Sequence, residues 1–552
     1  MTRCATAAVL FYPALPVHML VKCKDLSRPK EGGTPIVQTA IAKNHSRHVW
    51  LQRLWGAGAL TVLALFLRTL SISFKIYLSG QIGAAGMGLY QLIYSVYGFG
   101  CTLACGGLGL GVTTLCSRAI AKKQWHRVPQ VVLRALAFAA VLGCIATGLL
   151  YFGAAPVSKM LGQPILATPL RLFSVSLPFA AISGCLQGYF YATGEVVRSE
   201  LSQVLKRFTK MGIVMAAFAA SSPRQMDAAL ALIFFVSSLS EIVPAFYLSV
   251  LYRVSRKKFT SAQLPSSALT AAKGSIALAL VKICLPLAVC QNLQSAFHTL
   301  ENTLVPQGFA KSGIADAMER YGVLSGMAMP LLSYPAALLV SFSMLLIPAI
   351  VRLHTRGQRE KLGRSLSHIL RITFVFCCGV MAVFLFFPGP VSGIFSTKGV
   401  AVYLRLLAPL CPLIYMDHVT DCMLKGLGLQ FHVMIQNLTD MMLTVVLLYF
   451  LLPVWGLAGY LFTLYCTTTY NLVAGWWLLR RRVDFSYLAP GWVAKPLLCC
   501  LIAGFVATRG LPPVLSAFPV RLVLFLVLYF ALLFLCRDLT GKDLHRLRAL
   551  LG

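Results

Sequence analysis

Apolar runs of about twenty residues recur along the whole chain, each long enough to cross a bilayer core, and short clusters of lysine and arginine separate them. That pattern leaves little choice of fold. In lipid every backbone polar group must be satisfied internally, so such runs become helices. Fourteen candidate spans follow: 57–80, 87–114, 131–153, 166–189, 202–220, 228–251, 277–303, 321–350, 368–388, 402–424, 431–452, 455–478, 492–509 and 520–536. Composition agrees. Of 552 residues, 58% are apolar and only 12% charged, whereas soluble domains carry about 25% charged residues. A soluble enzyme, a disordered chain and a disulfide-rich secreted domain are excluded. The net charge of +33 does not indicate a nucleic-acid reader, because such proteins are not this apolar.

The basic clusters alternate in side. One side collects Lys22 to Lys30, Arg118 to Arg127, Arg198 to Lys210, Arg253 to Lys258, Arg352 to Arg364, Arg480 to Arg482 and Arg537 to Arg548. The other has isolated charges such as Lys159, Arg224, Lys311, Lys398 and Arg509. The positive-inside rule places both termini in the cytoplasm of a multi-pass plasma (inner) membrane protein, as an even span count requires. Residues 1–54 read as a disordered cytoplasmic tail, with no signal peptide and with Met19 as an alternative start. The 17 cysteines sit mostly in apolar runs with no CxxC pair, so neither a zinc site nor a redox motif is expected.

The chain repeats itself. Arg171-Leu172 with Pro178 and Gly194 recurs as Arg405-Leu406 with Pro412 and Gly428, at a constant offset of 234 (405 − 171). Tyr90 and Tyr321 stand in similar correspondence. Two six-helix lobes related by an axis along the membrane normal follow. The expected boundaries are 55–255 for the first lobe, 256–276 for a cytoplasmic linker, 277–480 for the second lobe, and 481–552 for two further spans with a cytoplasmic tail.

Ionisable residues within spans are costly and mark function by default. Arg68 lies mid-span and Lys75 follows two turns on, so both share a face. A water-filled cavity or a bound anion would accommodate them; Lys75 has snorkelling as an alternative. Tyr90 and Tyr94 form a stripe with Tyr97 that either packs or lines a groove, and Gln187 is a further cavity candidate. Glu301 with His298 three residues earlier, Glu241 and Asp417 are candidates for coupling Na+ or H+, with structural polar contacts as the alternative. Asp421 and Lys425 read as a solvated ion pair. Gly107 and Gly111 form a GxxxG spacing for close helix contact. No Walker A, HExxH or GxSxG sequence occurs, and no organic cofactor or resident metal is expected.

Four segments in order then resemble a known family. Ile82 to Tyr94 resembles the G-A-E-G-L-G-L-Y-Q segment of stage V sporulation protein B-like transporters, with Ala85 where that pattern has Glu. Leu300 to Pro306 is similar to I-D-x-x-L-V-P, Tyr321 to Leu331 to Y-G-x-L-S-G-M-A-x-P-L, and Leu424 to Gly428 to L-Q-G-L-G. The likeness runs from about residue 55 to the C-terminus. It places the chain with the multidrug/oligosaccharidyl-lipid/polysaccharide (MOP) flippases, which include lipid II flippases of peptidoglycan synthesis. It implies a V-shaped, MATE-like bundle working by alternating access on an undecaprenyl-pyrophosphate-linked glycan, as a monomer and without enzymatic activity. A cation-coupled drug antiporter, a non-transporting scaffold of envelope synthesis and a membrane-embedded glycan enzyme are the rival readings.

Overall fold

The computed structural model describes residues 35–122, 124–221, 225–260, 273–395, 397, 399–485, 491–509 and 517–536. Among them there is no strand. The order is α1 (Pro35–Cys105), α2 (Leu108–Ala121), α3 (Arg127–Met160), α4 (Ala167–Ser174), α5 (Leu177–Thr193), α6 (Val196–Ser221), α7 (Met226–Thr260) and α8 (Lys273–Lys311). There follow α9 (Ala317–Tyr321), a π-helical turn (Gly322–Ala328), α10 (Met329–Ser333), α11 (Ala336–Thr355), α12 (Arg359–Phe386), α13 (Pro388–Ser392) and α14 (Val400–Leu407). The last are α15 (Leu410–Gly426), α16 (Gln430–Trp455), α17 (Leu457–Arg480), α18 (Ala494–Arg509) and α19 (Phe518–Leu535). Residues 35–54, read from the sequence as part of a disordered tail, belong to α1; residues 1–34, most of the 256–276 linker and the C-terminal tail lie outside the described residues.

Among the described residues, seven helical stretches are long and apolar enough to cross a membrane, or nine when two bent pairs each count as one span. The first, Leu65–Ala121, far exceeds the ~30 Å core at 1.5 Å per residue. It is broken at Gly83 (φ 65, ψ −173) and again between Cys105 and Leu108. α6 is less apolar than these stretches because Lys206, Arg207 and Lys210 crowd one part of it. Large apolar side chains face outward: Phe152 is 80% exposed and Phe246 71%. Surfaces of that kind suit lipid, not water.

The bent pairs reproduce the repeat. The stretch Pro164–Ser174, which contains α4, meets α5 at 47°, and α14 meets α15 at 57°. Each pair is a helix of 8 residues followed by one of 17. Gly194 (φ 79) and Gly428 (φ 81) then take the left-handed turn that ends them. The conserved spacing of Pro178 and Pro412, early in the second helix of each pair, fits a break just before them.

The chain divides into two compact units, Leu89–Thr303 and His45–Gly88 with Leu304–Gly552. Within the first, α2 and α5 approach through glycine. A Cβ on Gly188 would collide with the carbonyl of Gly109, and the Thr113 hydroxyl donates to Gly188 O at 2.9 Å across the same contact. The GxxxG pair faces α8: a Cβ on Gly111 would meet Cys284 Sγ, and one on Gly107 would meet Cys284 and Leu287. The α1–α2 break leaves the Gly107 N–H without a helical partner, and Gln291 Oε1 of α8 accepts it at 3.1 Å.

Candidate functional site

In the unit formed by 45–88 and 304–552, Arg68 is half-buried and its Nη2 donates to the backbone carbonyl of Ser333 at 2.8 Å. The local sequence explains why that carbonyl is available. Pro335 has no N–H, so the chain tightens between α10 and α11. The Ala337 N–H bonds Tyr334 O at 3.1 Å, and Leu338 bonds Pro335 O at 3.1 Å, each one residue short of the α-helical partner. Leu332 O accepts the Tyr415 hydroxyl, and Ser333 O is left for the guanidinium. Thr69 and Tyr334 hydroxyls bond at 2.9 Å beside it.

A cavity of about 190 Å³ opens at this point, lined among others by Arg68, Ser333, Ile414, Tyr415 and His418. Arg68 is fixed there by a neutral carbonyl, and among the described residues no carboxylate pairs with it. Its guanidinium borders the cavity. Lys75, half-buried on the same helix, does not line it.

In the Leu89–Thr303 unit, Tyr90 and Tyr94 are brought together with a group that the sequence reading assigned to a cytoplasmic basic cluster. Lys210 Nζ donates to the hydroxyls of Tyr94 and Tyr90, the latter at 3.4 Å, and lies 4.8 Å and 5.6 Å from their ring centres. Phe173 and Phe234 close the aromatic wall, with ring centres 5.1 to 5.6 Å from each other and from Tyr94. Tyr97 stacks on Phe173 at 3.5 Å and shares a hydrogen bond with Ser176 at 2.8 Å, so it serves packing. One turn before Lys210, Lys206 Nζ lies 2.5 Å from Glu241 Oε1, on a carboxylate side chain only 8% exposed. The sequence signal for both lysines is their i,i+4 spacing, which puts them on one face of α6. Gln187 is half-buried on α5.

Glu301 and His298 meet at 3.3 Å on α8, with the His298 side chain 57% exposed. Asp417 is half-buried on α15, and its Oδ1 is enclosed without a hydrogen-bond partner among the described residues. The neighbouring pair is not the solvated one expected. Lys425 lies 3.6 Å from Asp421, but the Asp421 side chain is only 10% exposed, and Asn437 donates to it at 3.4 Å. Gln436 and Asn471, which the sequence did not single out, bond at 3.1 Å between α16 and α17. Among the described residues no three His, Cys, Asp or Glu side chains gather as a metal site.

Comparison with known proteins places this architecture. A MatE family model matches residues 49–201. Stage V sporulation protein B of Bacillus subtilis (strain 168) is 24% identical over 73% of this chain and 79% of its own length. Sporulation protein YkvU of the same organism is 22% identical over 63% of this chain and 77% of its own. Among solved structures, an inward-facing multidrug resistance MATE family transporter of the MOP superfamily superimposes with TM-score 0.62 at 16% identity, covering 76% of this chain and 95% of that one. A MOP superfamily transporter from Pyrococcus furiosus, described as having a binding pocket of reverse polarity, gives TM-score 0.55 at 17% identity over 78% of this chain and 96% of that one.

Proposed function

We propose that this chain, a MATE-like membrane transporter of the MOP superfamily with a MatE domain over residues 49–201, carries a polyprenyl-pyrophosphate-linked oligosaccharide from the inner to the outer leaflet by alternating access. The observation that carries the reading is Arg68, a membrane-helix cation held beside a cavity by a backbone carbonyl, with no carboxylate paired to it among the described residues. Removed from bulk water, such a guanidinium pairs strongly and bidentately with phosphate oxygens. The likeness to stage V sporulation protein B agrees with a flippase reading. The plasma membrane and cytoplasmic termini are part of this reading, resting on the basic clusters.

Electrical work favours the direction. One negative charge moving outward gains about 2.3 kcal/mol per 100 mV, inside negative. Asp417, with its enclosed Oδ1, is the position we assign to a coupling cation where one is used. The same acidic residue favours the rival reading, antiport of amphipathic cations. The two separate in one preparation: vesicles containing the purified chain are given either a fluorescent polyprenyl-pyrophosphate glycan or a cationic dye against Na+ and H+ gradients. Glycolipid movement without dye export supports the flippase; dye export alone rejects it.

A further inference from the structure

Apart from Arg68, the side chains lining the Arg68 cavity are aliphatic or hydroxyl-bearing with one exception, His418. Helix geometry puts it there. Ile414, Tyr415 and His418 share one face of α15. Tyr415, fully buried, donates its hydroxyl to Leu332 O, and Arg68 donates to the next carbonyl, Ser333 O. Two successive carbonyls of α10 thus tie α1 and α15 to one place, and His418 stands one turn beyond Tyr415 on the tied helix. Unlike Tyr415, His418 is exposed, and among the described residues its ring makes no hydrogen bond. The charges that act on it are Asp421 and Lys425 of its own helix and Arg68 of α1; among the described residues α11, α12 and α17, which pack on α15, add none. Asp421 is engaged by Lys425 and Asn437, at 3.6 Å and 3.4 Å.

We infer that His418 is the second ligand of the anion that Arg68 binds, and that the two together select a pyrophosphate over a single phosphate. The inference rests on the anionic-substrate reading above and adds to it a residue and a basis of specificity. Ser333 O takes one guanidinium N–H and leaves the others for one phosphate, which a guanidinium meets bidentately. A ring N–H of His418 donates to the second phosphate. Imidazole is mostly uncharged at neutral pH, so it stands beside Arg68 without the repulsion that a lysine would bring. An anion held against the ring favours its charged form, so pyrophosphate binding draws in a proton. A histidine that only filled space would produce neither the selectivity nor the proton uptake.

The test uses the full chain in nanodiscs of neutral lipid, titrated calorimetrically with inorganic pyrophosphate and with orthophosphate. Each titration is repeated in buffers of different ionisation enthalpy, which counts the protons taken up. Wild type is expected to bind pyrophosphate about tenfold more tightly than orthophosphate, and His418→Ala to lose that preference while keeping its affinity for orthophosphate. His418→Gln keeps an N–H donor but cannot take a proton. It should retain most of the preference and bind with less proton uptake than wild type. Pyrophosphate exchanges protons of its own, so the difference between these two proteins is the readout. An undiminished preference in a monodisperse His418→Ala, or equal proton uptake by wild type and His418→Gln, overturns the inference. Should His418→Ala aggregate, the proton count of His418→Gln decides alone. Arg68→Ala separates the inference from the reading beneath it. Loss of both anions there, with His418→Ala behaving as wild type, rejects the role of His418 alone. Pyrophosphate binding that is undiminished in Arg68→Ala, or absent from wild type, rejects the anion site itself.

Discussion

Arg68 and Ser333 lie 265 residues apart in sequence and meet at 2.8 Å through a guanidinium and a backbone carbonyl. The contact exists because the Ala337 N–H, the helical partner of Ser333 O, bonds Tyr334 O instead where Pro335 stands between α10 and α11. Pro335→Ala restores a donor, lets the segment close into regular helix and takes Ser333 O away from Arg68. Transport is expected to fall about tenfold, equivalent to ~1.4 kcal/mol, with an unchanged or higher melting temperature. A fall in both together would instead indicate general damage.

Glycine contacts in the first unit make a stability prediction with an internal control. Gly188→Ala drives a methyl group into the Gly109 carbonyl and is expected to cost about 1–3 kcal/mol. Gly184→Ala, one turn earlier on the same helix, meets nothing within 4 Å and should be neutral or slightly stabilising. Thermal unfolding of the two variants in detergent decides the matter.

Much of this was legible in the sequence, and the part that was not has a physical reason. The repeat of Arg-Leu, Pro and Gly at a fixed offset marked two corresponding single spans, 166–189 and 402–424, each of which the structure breaks into a bent helix pair of the same lengths, because proline and glycine impose local geometry wherever they fall. The pairing of His298 with Glu301 followed from helical spacing alone. Lys206 and Lys210 were assigned to a topological charge cluster, since positive-inside counting weighs lysines by their neighbours along the chain. Which ones turn inward is fixed by Glu241 and Tyr94 on other helices. The partner of Arg68 was out of reach for a different reason. It is a backbone carbonyl, which every residue has, made available by a proline far away in sequence.

Orientation gives a third prediction. The turn at Gly162, after α3, belongs with the sparsely charged side, and the turn at Gly357, between α11 and α12, with the basic one. Alkaline phosphatase fused after Gly162 should be active and a green fluorescent protein fused after Gly357 should fluoresce. The reverse pattern inverts the topology, and with it the direction of transport.

Asp417 supplies a fourth. Its enclosed Oδ1 suits a cation better than a void. Asp417→Asn should abolish any stimulation of transport by a Na+ or H+ gradient, while leaving movement driven by membrane potential within about twofold of wild type. Equal loss of both would make Asp417 structural.

The central claim is that Arg68 carries the substrate's pyrophosphate. Purified chain in proteoliposomes, given a fluorescent undecaprenyl-pyrophosphate disaccharide-peptide with and without an imposed potential, tests it directly. The account predicts movement that accelerates when the receiving side is positive, falls at least about a hundredfold in Arg68→Ala, and is partly retained in Arg68→Lys, which keeps the charge but not the bidentate fork. Undiminished, potential-driven movement by a folded Arg68→Ala would contradict it.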